Sequence, residues 1–404
     1  MNTRPMISAL GRHRTAVALI VLEIALTFAV VSNAISLIMH RVERLQLRTG
    51  LDDSRLVYVN TEGTDRPDAG AIYTTILDTL RRIPGVEAAA SVNTVPFGPR
   101  EGTSGFFLDE AEKHFGRVAD FYYGNPGYLQ VLGVRLIAGT GFGPGAYQPF
   151  KTMPPSGGVI ISQPLASLLW PGQEALGKSI WLGKKLRYVV TGVSAPLMRP
   201  DPEYAGIEDV YDSLFLPAAI GAPQTGNFVL RTDPARQQAV LHAAYAAIHR
   251  IDPRLVVDRD SSGSIAGLRR AYEKSNRIMI GLLGGVIVAL MLVTGLGILG
   301  LSGFWVQQRT RQIGVRRALG ARRRDILRYF QTENFLLATA GIALGCAAAI
   351  GINVWLMAHY AVPRLPVVYL LLGALLLWGL GQLAVLGPAL RAARVPPTVA
   401  MRAA

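Results

Sequence analysis

Four stretches of this chain are too long and too apolar for the core of an ordinary soluble domain. Thr15 to Met39, Ile278 to Phe304, Phe335 to Met357 and Val367 to Leu386 are almost free of charge. About 20 apolar residues in a helix cross a ~30 Å hydrocarbon layer. The second stretch has about 27, which at ~1.5 Å each exceeds that thickness, so it tilts or protrudes. Their spacing is uneven. Roughly 240 residues separate the first from the second, while short connections join the last three. The pattern predicts a four-helix membrane protein with one large α+β domain between the first and second spans. Glu23 interrupts the first span. An intramembrane acid is a functional candidate, but this one lies near one end of the span, where an interhelical packing role suffices.

Charge orients the bundle. The chain of 404 residues has a net charge of +14, and most of the excess flanks the apolar runs. Arg4, Arg12 and Arg14 precede the first. Arg391, Arg394 and Arg402 follow the last. Between the second and third lies Gln307 to Phe330, with eight arginines and one acid, Asp325. Cationic flanks resist translocation, so both termini and this short loop are expected in the cytoplasm and the large domain outside. No basic patch is interleaved with aromatic residues, which argues against nucleic acid as a partner. The lone cysteine, Cys346, sits inside an apolar run and offers neither a disulfide framework nor a metal cluster.

Read in order, residues 1–48 form the N-terminal segment, first span and the start of a stalk, where Val42, Leu45 and Leu47 alternate with charges. Residues 49–264 form the outer domain. Strand–helix–strand units are expected at about 55–110 and 225–260: Ile72, Ile76, Leu80 and Ile83 mark one helix face, Val240, Leu241, Ala244 and Ile248 the other. They bracket a Gly- and Pro-richer β subdomain at about 111–224. Residues 265–306 hold the second half of the stalk and the second span. The Arg-rich loop occupies 307–331, the third span 332–358, the fourth 366–388 and a tail 389–404. In the spans, Gly284, Gly295, Gly341 and Gly345 permit close helix approach, within one bundle or between two copies.

One motif misleads. Gly172, Gly177, Lys178 and Ser179 fit the phosphate-binding expression G-x-x-x-x-G-K-[ST]. A working site needs a strand before it and a helix after it, so that backbone N–H groups face the phosphates. Here the pattern predicts a helix before and a strand after, outside the membrane. It is read as a false match.

The Arg-rich loop resembles that of the MacB/FtsX permeases, membrane subunits of type VII ABC transporters, whose pattern is close to R-x-x-E-I-G-[IV]-R-R-A-x-G-A-x-x-x-D-[IV]. Arg309, Ile313, Gly314, Val315, Arg316, Arg317, Ala318, Gly320, Ala321, Asp325 and Ile326 fall on it, and Gln312 replaces the usual Glu. Tyr128 to Val134, leading to Gly139, is similar to an extracytoplasmic segment of the family, with Thr140 for its usual Arg. The tail from Pro388 to Arg402 resembles P-A-x-x-A-[AS]-R-x-x-P-x-x-A-L-R.

The resemblance implies a non-catalytic subunit of the bacterial inner membrane, a dimer with a second copy or paralogue, and a separate ABC ATPase that alone holds ATP and Mg. A periplasmic adaptor and an outer-membrane channel are further partners of such exporters. ATPase closure would push the loop and, through the stalk, move the outer domain without a polar pore. Ile313, Ala318 and Ile326 are then expected to fill an apolar groove on the ATPase. Arg316, Arg317 and Asp325 would set register by ion pairs, with Gly320 forming the turn. Export of a peptide, drug or similar cargo, lipoprotein release, and control of a cell-wall hydrolase all remain open.

Overall fold

A computed structural model of the protein describes residues 14–62, 66–99, 102–148, 156–183, 186–202, 206–217, 226–360 and 364–394. The N-terminal arginines Arg4 and Arg12 and most of the tail motif lie outside these residues. The chain divides into two units: residues up to Val42 together with those from Asn276 onward, and Glu43–Ser275.

The first unit is helical. It holds most of α1 (Arg14–Leu45) and of α6 (Ile265–Gln308), then α7 (Thr310–Ala318), α8 (Arg323–Tyr360) and α9 (Val367–Arg394). Four of these helices, α1, α6, α8 and α9, are long and apolar enough to cross a membrane. Small and polar side chains join them where the apolar pattern is broken. Thr27 and Thr294 share a hydrogen bond of 2.8 Å between α1 and α6, and Arg41 Nη1 donates to Asn276 Oδ1 at 2.7 Å. Asn33 Nδ2 donates to the Ala349 carbonyl of α8 at 3.2 Å. The ring of Trp378 on α9 stacks on Phe335 of α8 with centroids 5.4 Å apart.

Glycines set the closest approaches. A Cβ at Gly341 would stand 2.7 Å from Ile24 Cβ, and one at Gly345 2.8 Å from the Ala25 carbonyl oxygen. Both α8 glycines therefore receive α1. Gly295 faces Leu380 of α9, whereas a Cβ at Gly284 would meet nothing within 4 Å among the described residues. Packing inside a single bundle accounts for three of the four glycines. Gly297 makes room for Glu23, whose Oε2 lies 2.7 Å from where a Cβ would be. Gly345→Val is expected to overpack the α1–α8 contact and cost about 1–3 kcal/mol. Thermal unfolding in detergent measures this, with Gly284→Val as the near-neutral control.

Among its described residues the second unit contains two sheets. Its first has β1 (Leu56–Thr61), β2 (Val86–Ser91), β10 (Phe228–Thr232) and β11 (Val257–Ser264), with α2 (Ala69–Arg81) after β1 and α5 (Gln237–Ile251) after β10. The order β11-β1-β10-β2 interdigitates the two strand–helix–strand units, and every neighbouring pair is antiparallel. Alternation along β1 divides its side chains. Val57 and Val59 join Tyr73, Ile76, Leu80, Val240 and Ile248 under the helices. Leu56 and Tyr58 face a second core with Ala90 and with Tyr128 and Leu132 of the short helix α3 (Tyr128–Leu132). A strand buried on both faces has no polar face.

Between β2 and β10 the chain makes a second sheet of seven strands: β3 (Thr103–Phe107), β4 (Phe115–Gly124), β5 (Leu136–Gly139), β6 (Gly157–Ser162), β7 (Ser179–Trp181), β8 (Arg187–Ser194) and β9 (Ser213–Pro217). Their order is β5-β8-β6-β9-β4-β3-β7, and β7 pairs back onto β8, closing a small barrel. Phe106, Phe121, Ile161, Ile180, Tyr188 and Leu214 fill it. Closure removes exposed sheet edges. The expected boundary near residue 110 is corrected here. β3 pairs with β4, Thr103 opposite Asp120, so it belongs to the barrel and not to the first strand–helix–strand unit. Phe106 explains why: it is buried among the barrel's aromatic and aliphatic side chains.

Candidate functional site

The Arg-rich segment folds as the short helix α7, a tight turn and the first turns of α8. The turn follows from local chemistry. Gly320 adopts φ +97°, a left-handed conformation that glycine takes without steric cost. Its N–H donates to the Arg317 carbonyl at 3.1 Å and that of Ala321 to Arg316 at 3.0 Å, the paired bonds that end a helix at a left-handed residue. Asp325 Oδ2 then accepts from the Arg322 N–H at 2.9 Å, capping the start of α8. Asp325 was expected to form an intermolecular ion pair. Its observed contact is this cap, which fixes the corner itself.

Ile313 and Ile326, expected to face the ATPase, have apolar neighbours within this chain. They are 5% and 4% exposed and packed with Trp305, Phe330, Val385 and Ala389. Helical periodicity identified an apolar face, and that face turns toward the chain's own bundle. Residues about 200° further round α7 are the exposed ones. Arg311, Val315 and Leu319 lie at four-residue spacing on the outer side. Val315 is 46% exposed and Leu319, next to the turn glycine, 83%. Ala318, Gly320 and Arg316 are exposed beside them. The signal for Leu319 in the sequence was faint: one leucine before a glycine in an arginine run.

Other arginines anchor the corner. Arg309 Nη1 donates to both carboxylate oxygens of Glu333 at 2.9 Å, with Glu333 2% exposed and the guanidinium 5.9 Å from the Trp305 ring centroid. Arg317 Nη1 donates to the Ala393 carbonyl at the end of α9, 3.1 Å away. Arg316 lies over Tyr329, 5.0 Å from the ring centre. Gln312 lines a crevice with Arg309, Ile313 and Arg316; the carboxylate bonded to Arg309 comes from Glu333.

The phosphate-loop match adopts the reverse order to a nucleotide site. α4 (Gln163–Leu169) precedes it and β7 follows. The Gly177 N–H donates to the Val190 carbonyl at 2.9 Å and that of Lys178 to Ala175 at 3.1 Å. Lys178 Nζ donates to Gln173 Oε1 at 3.0 Å. These groups serve the turn's own geometry.

Two family models match the chain: the MacB-like periplasmic core domain over residues 16–247 and the FtsX-like permease C-terminal region over 284–397. The macrolide export ATP-binding/permease protein MacB of Azoarcus sp. strain BH72 is 28% identical over 258 residues, which cover 60% of this chain and 37% of that protein. The uncharacterized ABC transporter permease YvrN of Bacillus subtilis strain 168 is 26% identical over 253 residues, 60% of this chain and 61% of YvrN. The match thus spans well under half of the MacB protein's length. The first model alone covers more than half of the chain, its boundaries bracket the first span and most of the two-sheet domain, and the second covers the remaining spans with the Arg-rich corner: the protein belongs to the MacB/FtsX family of ABC-transporter permeases.

Proposed function

We propose that the chain is the membrane subunit of an ATP-driven exporter in the bacterial inner membrane, with both termini cytoplasmic and the two-sheet domain periplasmic. A separate ABC ATPase binds at the α7–α8 corner and carries ATP and Mg. The subunit itself converts ATPase closure into movement of the outer domain, acting as one half of a dimer on a peptide, drug or similar cargo. One observation carries this reading. Val315 and Leu319 are exposed on a corner fixed by its own cap, by the Arg309–Glu333 pair and by the Arg317–Ala393 bond, and arginines surround them. An exposed aliphatic stripe ringed by cations matches an apolar groove with an acidic rim on a partner protein.

Affinity purification from native membranes in mild detergent, followed by mass spectrometry, tests the proposal. An ABC ATPase together with a periplasmic adaptor is the expected result. Recovery with a cell-wall hydrolase in place of the adaptor would turn the reading toward regulation. Absence of any ATPase would overturn it.

A further inference from the structure

The charge of the first unit does not balance within it. By sequence, residues 1–42 and 276–404 contain three acids: Glu23, Asp325 and Glu333. Glu23 lies inside a span, beside Gly297. The carboxylate of Asp325 caps α8, and that of Glu333 holds Arg309. No acid of the unit is left uncommitted for the other arginines at this end of the bundle. Arg324 and Arg328, on the first turns of α8, and Arg394, the last residue of α9, are exposed. A guanidinium in a protein keeps its charge, so the counter-anions of these three come from outside the chain.

Their positions decide which anion meets them. At ~100° per residue, positions seven or eleven apart share a helix face. On α9, Leu372, Leu376, Leu383, Leu390 and Arg394 follow those spacings, and all are exposed. On α8, Arg328 shares a face with Phe335, seven positions on, and with Met357 near the far end, both exposed. Each of these apolar stripes therefore ends in an arginine. Both helices are long and apolar enough to cross a membrane, so the stripes face hydrocarbon and the guanidinium groups stand at headgroup level, with their aliphatic stems along the apolar surface. Gln382 Nε2 of α9 donates to the Gln331 carbonyl, one turn inside Arg328, at 3.2 Å, and Arg317 bonds the Ala393 carbonyl beside Arg394. Both stripes thus end at one level of the bundle. Arg324 and Arg328 are four positions apart on α8, neighbours whose like charges repel unless an anion sits between them.

We propose that Arg324 and Arg328 hold the phosphate of an anionic phospholipid at the edge of the bundle, with Arg394 marking the same headgroup level on α9. The planar fork of each guanidinium matches two phosphate oxygens. A lipid fits better than a free anion, because its acyl chains lie along the exposed stripe that begins at Phe335. A second copy of this chain does not serve, since it brings the same excess of arginine and no uncommitted acid. The proposal rests on the membrane spans and not on the transport reading.

Native mass spectrometry of the full-length protein in mild detergent, titrated with phosphatidylglycerol and separately with phosphatidylcholine of the same acyl chains, tests this without any ATPase. An arginine near an anionic headgroup contributes about fivefold in affinity. Arg324→Gln with Arg328→Gln is therefore expected to lose roughly 25-fold in phosphatidylglycerol affinity and to leave phosphatidylcholine binding unchanged. Arg311→Gln with Arg322→Gln removes the same charge from exposed positions off these stripes and is expected to keep phosphatidylglycerol binding. All four side chains are exposed, so the substitutions are expected to leave folding unchanged, which thermal unfolding in detergent checks. An unchanged affinity in the first variant overturns the site, as does an equal loss in both. Displacement of phosphatidylglycerol by inorganic phosphate at the same concentration would show a free-anion site and overturn the lipid assignment.

Discussion

Leu319→Asp is expected to abolish ATPase binding and leave the membrane bundle intact, while Ile313→Asp unfolds the corner. Leu319 is 83% exposed. A polar substitution there costs the isolated subunit within about 0.5 kcal/mol. If the side chain fills a groove on the ATPase, truncating it forfeits about 2 kcal/mol or more, roughly 30-fold in affinity. A carboxylate placed in that groove, and opposite an acidic rim, raises the penalty further. Ile313 is the opposite case. At 5% exposure among Ile326, Phe330 and Val385, an aspartate has no water and no partner. Its cost exceeds about 4 kcal/mol, a large share of the ~5–15 kcal/mol that holds a domain together. Co-purification with the ATPase and thermal unfolding in detergent separate the two effects. Equal loss of binding with unchanged stability in both variants would return the docking role to Ile313.

Glu333→Ala is expected to destabilise the corner strongly. It leaves the Arg309 guanidinium, whose side chain is 14% exposed, without its carboxylate. Removing one member of a buried pair costs about 3–5 kcal/mol, because the remaining charge stays desolvated. α7 then loses its main bond to α8, and the Val315–Leu319 stripe loses its position. Replacing both members, Arg309→Met with Glu333→Leu, is expected to recover most of the stability. Thermal unfolding of the two variants side by side measures this. If the double variant is as unstable as Glu333→Ala, the loss comes from packing volume and not from the stranded charge.

Much of the architecture was legible because it depends on long, regular signals. Spans of 20 residues and more with cationic flanks are hard to misread. The helix faces of Ile72 to Leu80 and Val240 to Ile248 follow a 3.6-residue period. The turn at Gly320 is written in one residue. What escaped the sequence depends on partners distant in the chain. β3 joins the barrel because Phe106 finds Phe121 and Tyr188, and nothing local to residues 103–107 announces that. Barrel closure rests on three residues of β7 meeting β8. The buried ion pair of Arg199 and Asp120 joins positions 79 apart, so no spacing pairs them.

The candidate site shows the same limit at finer scale. The apolar period through Ile313 and Ile326 was real, but periodicity reports that a face is buried and not what buries it. Where a resemblance leads the loop to be expected against a partner, the repeated apolar positions invite assignment to that partner. The bundle's own demand for Ile313, Ile326 and Phe330 came first. The docking surface proposed above uses the residues the bundle leaves exposed, Val315 and Leu319 among arginines. Asp325 illustrates the point for charge: the backbone N–H of Arg322, three residues away, claims its carboxylate before any external cation can.

The most direct measurement is photo-cross-linking from single positions of the full-length protein in native membranes. A photoreactive amino acid at position 319 is expected to capture an ABC ATPase, identified by mass spectrometry of the adduct, and one at position 313 to capture only this chain's own helices. Adducts with lipid alone from position 319, or ATPase adducts from 313 without any from 319, would contradict the assignment of this corner as the ATPase-coupling surface.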